Sequence, residues 1–237
     1  MSHDLARTRT WMEEGTAFFA KALESLDDKA LSTPGTLPGW TGAHLVAHVA
    51  ANAEALGKLV HWARTGEETP MYSSPVQRTS DIETGALRPG RELRDWFASS
   101  AAQLAGSLDA LTAAQWSREV LTAQGRTVPA TEIPWMRSRE VMVHAVDLGG
   151  VVTFADLPAA FDAALLDDIT AKRSSSPDHP ALTLVPTDHE GRWVVPGAGH
   201  PTTVRGPLAQ LTAYLAGRPA TDLRADDAGV PTLPRWL

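Results

Sequence analysis

The stretch TEIPWMRSREVMVHAVDLGG, residues 131–150, places a carboxylate, Glu140, four positions before an imidazole, His144. On an α-helix that spacing is one turn plus about 40°. Both side chains then leave one face, roughly 6 Å apart along the axis. The surrounding residues predict the helix: Ile133, Met136, Val143 and Leu148 follow its period, and Gly149-Gly150 is a stop signal. Glu140 and His144 lie on or beside the apolar stripe. Ionisable groups aimed at a core need a partner. Two readings follow, a buried hydrogen-bonded pair or two ligands of a metal. The second needs a third ligand from elsewhere in the chain.

Working outward, three more long helices are predicted. Leu5 to Leu26 carries Leu5, Met12, Phe19 and Leu26 at seven-residue intervals. GAHLVAHVAANAEALGKLVHWART follows Thr41, a natural N-cap, and ends near Gly66. A third helix spans about 91–111 with Leu93, Phe97, Leu104, Leu108 and Leu111 inward. Four such helices around one core make a four-helix bundle. The connection 66–90 is too long for an idle loop, so it is expected to be functional or to carry a short helix. Residues 116–130 read as extended, with a turn at Gln124-Gly125. After Gly150 the pattern changes. A helix in FADLPAAFDAALLDDITAKRS precedes strands in ALTLVP, RWVVPGAG and TTVRGP, then a helix in PLAQLTAYLAGR and a tail packing through Trp236. The expected fold class is α+β: a helical bundle over residues 1–153 and a small α+β domain over 154–237.

Composition narrows the function. The formal charge of −7 argues against nonspecific nucleic-acid binding. No apolar run approaches the roughly 20 residues that span a bilayer, and the N-terminus has no signal-peptide core, so no membrane partner and a cytoplasmic location are expected. The chain is expected to be a monomer. It has no cysteine. That excludes disulfides, Cys-zinc sites and a protein thiol nucleophile, so any thiol chemistry must use a thiol from solution.

Within a bundle, sites form where inward side chains of facing helices meet. His48, in the middle of the second helix, is the candidate third ligand, and His44 is its rival. His61 lies about 220° round the helix from His48. Two imidazoles and one carboxylate are a catalytic zinc set with one position open, and they also suit iron(II). Asp147, three residues after His144, either orients it or caps the helix. His3, His179, His189 and His200 read as solvated histidines of loops or termini.

The stretches LPGWTGAHLVAHVAANA, HWARTGEETPMY, VLTAQGRTVPATEIPWMRSREVMVHAVDLG and YLAGR resemble the mycothiol-dependent maleylpyruvate isomerase family, of the DinB-like metal-binding superfamily. The resemblance runs over nearly the whole chain. It implies a DinB-like N-terminal bundle, zinc as metal, mycothiol as thiol cofactor, and a role in gentisate breakdown. It maps the metal positions to His48, Glu140 and His144, and a catalytic arginine of a C-terminal GR element to Arg218.

The implied chemistry is cis–trans isomerisation of maleylpyruvate, a dicarboxylate, to fumarylpyruvate. Only a thiolate is a strong nucleophile, and a bound Zn²⁺ deprotonates a thiol. Addition of the sulfur makes the double bond single; rotation and expulsion of the thiolate follow. Arginine suits the substrate carboxylates and the charge that grows on the keto oxygen. Arg218 is the first choice, with Arg126 and Arg137 as lesser substrate-binding candidates. Trp62, Trp135 and Tyr72 are pocket-wall or core residues. Two other functions fit the same trio: a metal-dependent mycothiol S-transferase and a non-catalytic metal-binding regulatory module.

Overall fold

Four long helices do arise, and local signals account for their ends. The computed structural model describes residues 4–175, 179–226, 229–233 and 236. Helix α1, Leu5–Glu24, is opened by Asp4, whose carboxylate accepts from the Arg7 N–H at 2.9 Å. A single turn, α2, covers Asp28–Leu31. Helix α3, Gly42–Thr65, starts in a capping box made by Thr41 and His44 and stops at Gly66, whose φ of 84° suits glycine. The connection expected to be functional or helical carries a helix, α4, Pro75–Ala86. Ser74 caps it by accepting from the Gln77 N–H at 3.0 Å, and Pro75 occupies its first turn. Helix α5 is Gly90–Asp109. The short α6, Ala113–Trp116, leads to a hairpin of β1, Glu119–Leu121, and β2, Thr127–Pro129. One 3₁₀ turn later the deciding stretch forms α7, Ile133–Asp147.

Helices α1, α3, α5 and α7 form the four-helix bundle. Helix α7 packs mainly on α1 and next on α3, and α3 packs on α5. The α1–α7 approach is close because position 15 is glycine: a Cβ there would lie 2.5 Å from Val141 Cγ2 and 2.9 Å from Met142 Cγ. Leu56, Leu59, Leu104, Leu108 and Ile133 fill one shared core, and Phe19 meets Phe97 at 4.7 Å between ring centroids. Each buried aliphatic side chain contributes about 1.5–3 kcal/mol, and that burial outweighs the short-range propensity of any one helix. No helix among the described residues is long and apolar enough to cross a membrane.

Contacts divide the chain into Met1–Val152 and Thr153–Leu237. The second unit opens with a 3₁₀ turn and α8, Ala159–Arg173. Strands β3, Pro180–Pro186, β4, Trp193–Val195, and β5, Ala198–Gly206, follow, then α9, Leu208–Leu215, and β6, Arg224–Ala225. The sheet order is β4-β3-β5-β6. β3 pairs antiparallel with β4 and parallel with β5. RWVVPGAG, expected as one strand, is split. Pro196-Gly197 ends β4, and Gly197 sits so close to the His179 carbonyl that a Cβ would approach it to 2.3 Å. His179 corrects a second expectation: it is buried, not solvated. Its Nε2 lies 2.7 Å from the Arg173 carbonyl and satisfies an acceptor that the end of α8 leaves open. His3 lies outside the described residues.

Candidate metal centre

Helices α3 and α7 bring three side chains to one point. His48 comes from the buried second turn of α3, and Glu140 and His144 come from successive turns of α7. Glu140 Oε2 lies 2.9 Å from His48 Nε2 and 3.4 Å from His144 Nε2. One donor atom from each residue falls within 4.8 Å of the other two. The two imidazoles meet edge to face, 5.0 Å between centroids. Nothing in the local helix geometry is unusual; the spacing i, i+4 supplies two ligands and helix packing supplies the third.

The outer contacts orient the donors. His144 Nδ1 lies 2.8 Å from Asp147 Oδ2, a carboxylate that is itself buried. That bond holds a proton on Nδ1 and turns Nε2 toward Glu140 and His48, so Nε2 is the nitrogen a metal would take in exchange for a proton. Burial alone would lower the His144 pKa, but Asp147 and Glu140 reverse this and lift it to about 9. Burial lowers that of His48, with Glu140 opposing. Burial would raise Glu140, yet the two histidines outweigh it and hold the carboxylate well below its usual range. Glu140 is therefore ionised at neutral pH. The donors fit a divalent cation: two imidazole nitrogens and one carboxylate oxygen, one imidazole oriented through its Nδ1 by a buried carboxylate, and no thiolate to close the site.

His44 is held elsewhere. Its Nδ1 is 2.8 Å from Thr41 Oγ1 in the capping box, and its Nε2 is 3.3 Å from Glu83. The arginines are distributed unequally. Arg137 is 1% exposed, and its Nη1 donates to the Val49 carbonyl at 2.6 Å and to Asn52 Oδ1 at 3.0 Å. It ties α7 to α3 one residue past His48, and burial lowers its pKa to about 10. Arg126 is exposed at the turn of the β1–β2 hairpin, and its guanidinium has no partner among the described residues. Arg218 follows α9 in the second unit; its Nη1 donates to the Ala216 carbonyl at 2.7 Å. Trp135 is a core residue whose ring lies 5.8 Å from that of Trp11, tilted by 56°, and Trp62 and Tyr72 are partly buried.

Two neighbours of the centre are absent from the sequence reading. The Trp40 ring lies 5.3 Å from that of His48. Arg78, from α4, places Nη2 3.4 Å from His48 Nδ1 and its guanidinium 5.8 Å from the Tyr72 ring centroid. The Ser74-Pro75 pair is a helix-start signal and would have put Arg78 on a helix. Nothing in the sequence says which way that helix turns.

Known proteins align with the chain from end to end. The family model described as "Mycothiol maleylpyruvate isomerase N-terminal domain" matches residues 12–149, and the "MDMPI C-terminal domain" matches 156–235. A crystal structure of the mycothiol-dependent maleylpyruvate isomerase is 41% identical and superposes with a TM-score of 0.94, covering 99% of this chain and 98% of that one. The structure of a histidine-to-alanine mutant of the mycothiol-dependent maleylpyruvate isomerase gives 40% identity, the same TM-score and the same coverage. No curated protein sequence matches the chain.

Proposed function

The chain belongs to the mycothiol maleylpyruvate isomerase family, and from that membership we propose that it isomerises maleylpyruvate to fumarylpyruvate, with mycothiol as the thiol and zinc as the metal. The observation that carries the proposal is the convergence of His48, Glu140 and His144 in a chain without cysteine. A divalent metal held there would supply a Lewis-acid position at which a thiol from solution loses its proton at neutral pH. The protein's own groups do the rest. Asp147 holds the Nδ1 proton of His144, so Nε2 is the nitrogen that would give up its proton to a metal. Glu140, kept ionised by the two histidines, offsets one of the two charges of the cation. Burial of His48 keeps that imidazole neutral. With a divalent metal bound, a thiolate beside it would bring the charge of the centre to zero, which would favour anionic sulfur.

The bond changes are balanced. The thiolate sulfur bonds to one alkene carbon, and the π pair moves onto the keto oxygen. The remaining single bond rotates. The pair returns, the carbon–sulfur bond breaks, and the thiolate leaves unchanged. Arg218 is assigned to a substrate carboxylate or to the developing enolate oxygen, because a guanidinium stays charged and binds both in a planar fork.

The test is loss of maleylpyruvate absorbance with zinc-loaded protein, with and without mycothiol. The proposal expects turnover only with the thiol, and no net thiol consumption. Turnover by thiol-free protein overturns it. Accumulation of a stable thiol adduct would make the chain an S-transferase, and no reaction at all would leave a metal-binding module.

A further inference from the structure

We propose that Arg78 binds a carboxylate of the substrate at this centre, and that a metal on His48 Nε2 is what releases it to do so. The substrate half of this inference rests on the isomerase reading; the release does not. Arg78 reaches His48 from the side opposite Glu140: Nη2 is 3.4 Å from Nδ1, while Nε2 is 2.9 Å from the carboxylate. A guanidinium has donors only. The contact is therefore a hydrogen bond only when Nδ1 is the unprotonated nitrogen and Nε2 carries the proton given to Glu140. An imidazole that ligates a metal through Nε2 must keep its proton on Nδ1. Two donors then face each other, and a guanidinium also stands beside a new cationic centre. Metal at Nε2 and the Arg78–His48 hydrogen bond exclude one another.

His144 shows the contrast. Its Nδ1 faces the acceptor Asp147, which favours the metal-binding tautomer. His48 faces a cation at the equivalent atom, so Arg78 is not an orienting partner for a ligand. Once displaced, it needs an anion. The anionic groups nearby are engaged: Glu140 by the two histidines, Asp81 by Gln77 Nε2 at 2.6 Å, and Glu83 by His44. Among the described residues no carboxylate pairs with Arg78. It is half-buried over the Tyr72 ring, on a helix beside the metal position. A dicarboxylate entering the site would offer the oxygen pair that a guanidinium fork fits.

Zinc affinity is measured by chelator competition on the full-length wild type, Arg78→Gln and Arg78→Lys, with thermal midpoints recorded. Steady-state kinetics follow on the zinc-saturated proteins. Arg78→Gln is expected to bind zinc at least about threefold more tightly than wild type. Its KM for maleylpyruvate should rise at least about tenfold, with kcat changed far less. Arg78→Lys keeps the charge and should recover part of the KM loss without the tighter zinc binding. Calorimetric binding of succinate to the zinc-loaded proteins reads the carboxylate contact without turnover, so a failure of the isomerase reading remains separable. Zinc affinity that is unchanged or weaker in Arg78→Gln overturns the release. Unchanged KM and unchanged succinate binding overturn the carboxylate role.

Discussion

At the scale of single residues, the centre is a choice between two histidines four positions apart. HLVAH offers His44 and His48 on one helix, and either satisfies the ligand chemistry. What separates them is outside the helix. His44 is spent on the capping box and on Glu83, whereas His48 meets Glu140 across the bundle. His48→Ala is expected to remove most of the zinc, and His44→Ala to keep most of it, as read by elemental analysis of purified protein. Loss in the second variant alone would move the site. Glu140 and His144 were legible because i, i+4 is fixed by helix geometry. Arg78 was not, because its role depends on how a helix in a long connection is laid against its neighbour, and no periodicity encodes that.

At the scale of elements, the long helices were readable and their ends nearly so, because caps are local chemistry. Thr41, Gly66 and Ser74 act within four residues of themselves. Strand partition after residue 180 was less so. Whether β4 ends at Val195 depends on Gly197 fitting against His179, a contact between distant elements. Helix contact also sets the site. Gly15 lets α1 close on α7 at Val141 and Met142, next to Glu140. Gly15→Ala is expected to cost about 1–3 kcal/mol by overpacking and to weaken zinc binding; an unchanged thermal midpoint would argue against that contact. In α8, Asp162 is 2% exposed and one carboxylate oxygen lacks a hydrogen bond. Burial, with help from Asp188, raises its pKa from 3.8 to about 8. The folded state therefore holds a proton that the unfolded chain releases above pH 3.8. Stability from this group is intact below that pH, falls as pH rises and is fully lost above about 8. Asp162→Asn should remove this slope and raise the thermal midpoint at pH 8 by at least about 3 °C, with a smaller gain near pH 4. Parallel pH profiles of the two proteins would contradict it.

At the scale of the whole molecule, the family relation extends over both parts of the chain, and a functional residue in the second unit is a proposal of its own. Arg218 is its candidate. Its hydrogen bond to the Ala216 carbonyl is what a helix-end arginine makes, and lysine would tolerate that duty with a loss within about 1 kcal/mol. A bidentate carboxylate clamp would not tolerate it. Arg218→Lys is expected to keep zinc content and thermal midpoint and to lower kcat/KM at least about 100-fold, some 2.7 kcal/mol of transition-state stabilisation. Near-normal turnover with intact zinc would leave Arg218 a structural residue. We propose more narrowly that His48, Glu140 and His144 hold one metal with a position open to an external thiolate. Cobalt(II)-substituted protein titrated with mycothiol tests it most directly, through the sulfur-to-metal charge-transfer absorption. The predicted result is a saturable band at one cobalt per chain, absent in His48→Ala. Stoichiometric cobalt with no such band, in protein that still isomerises maleylpyruvate with mycothiol, would contradict it.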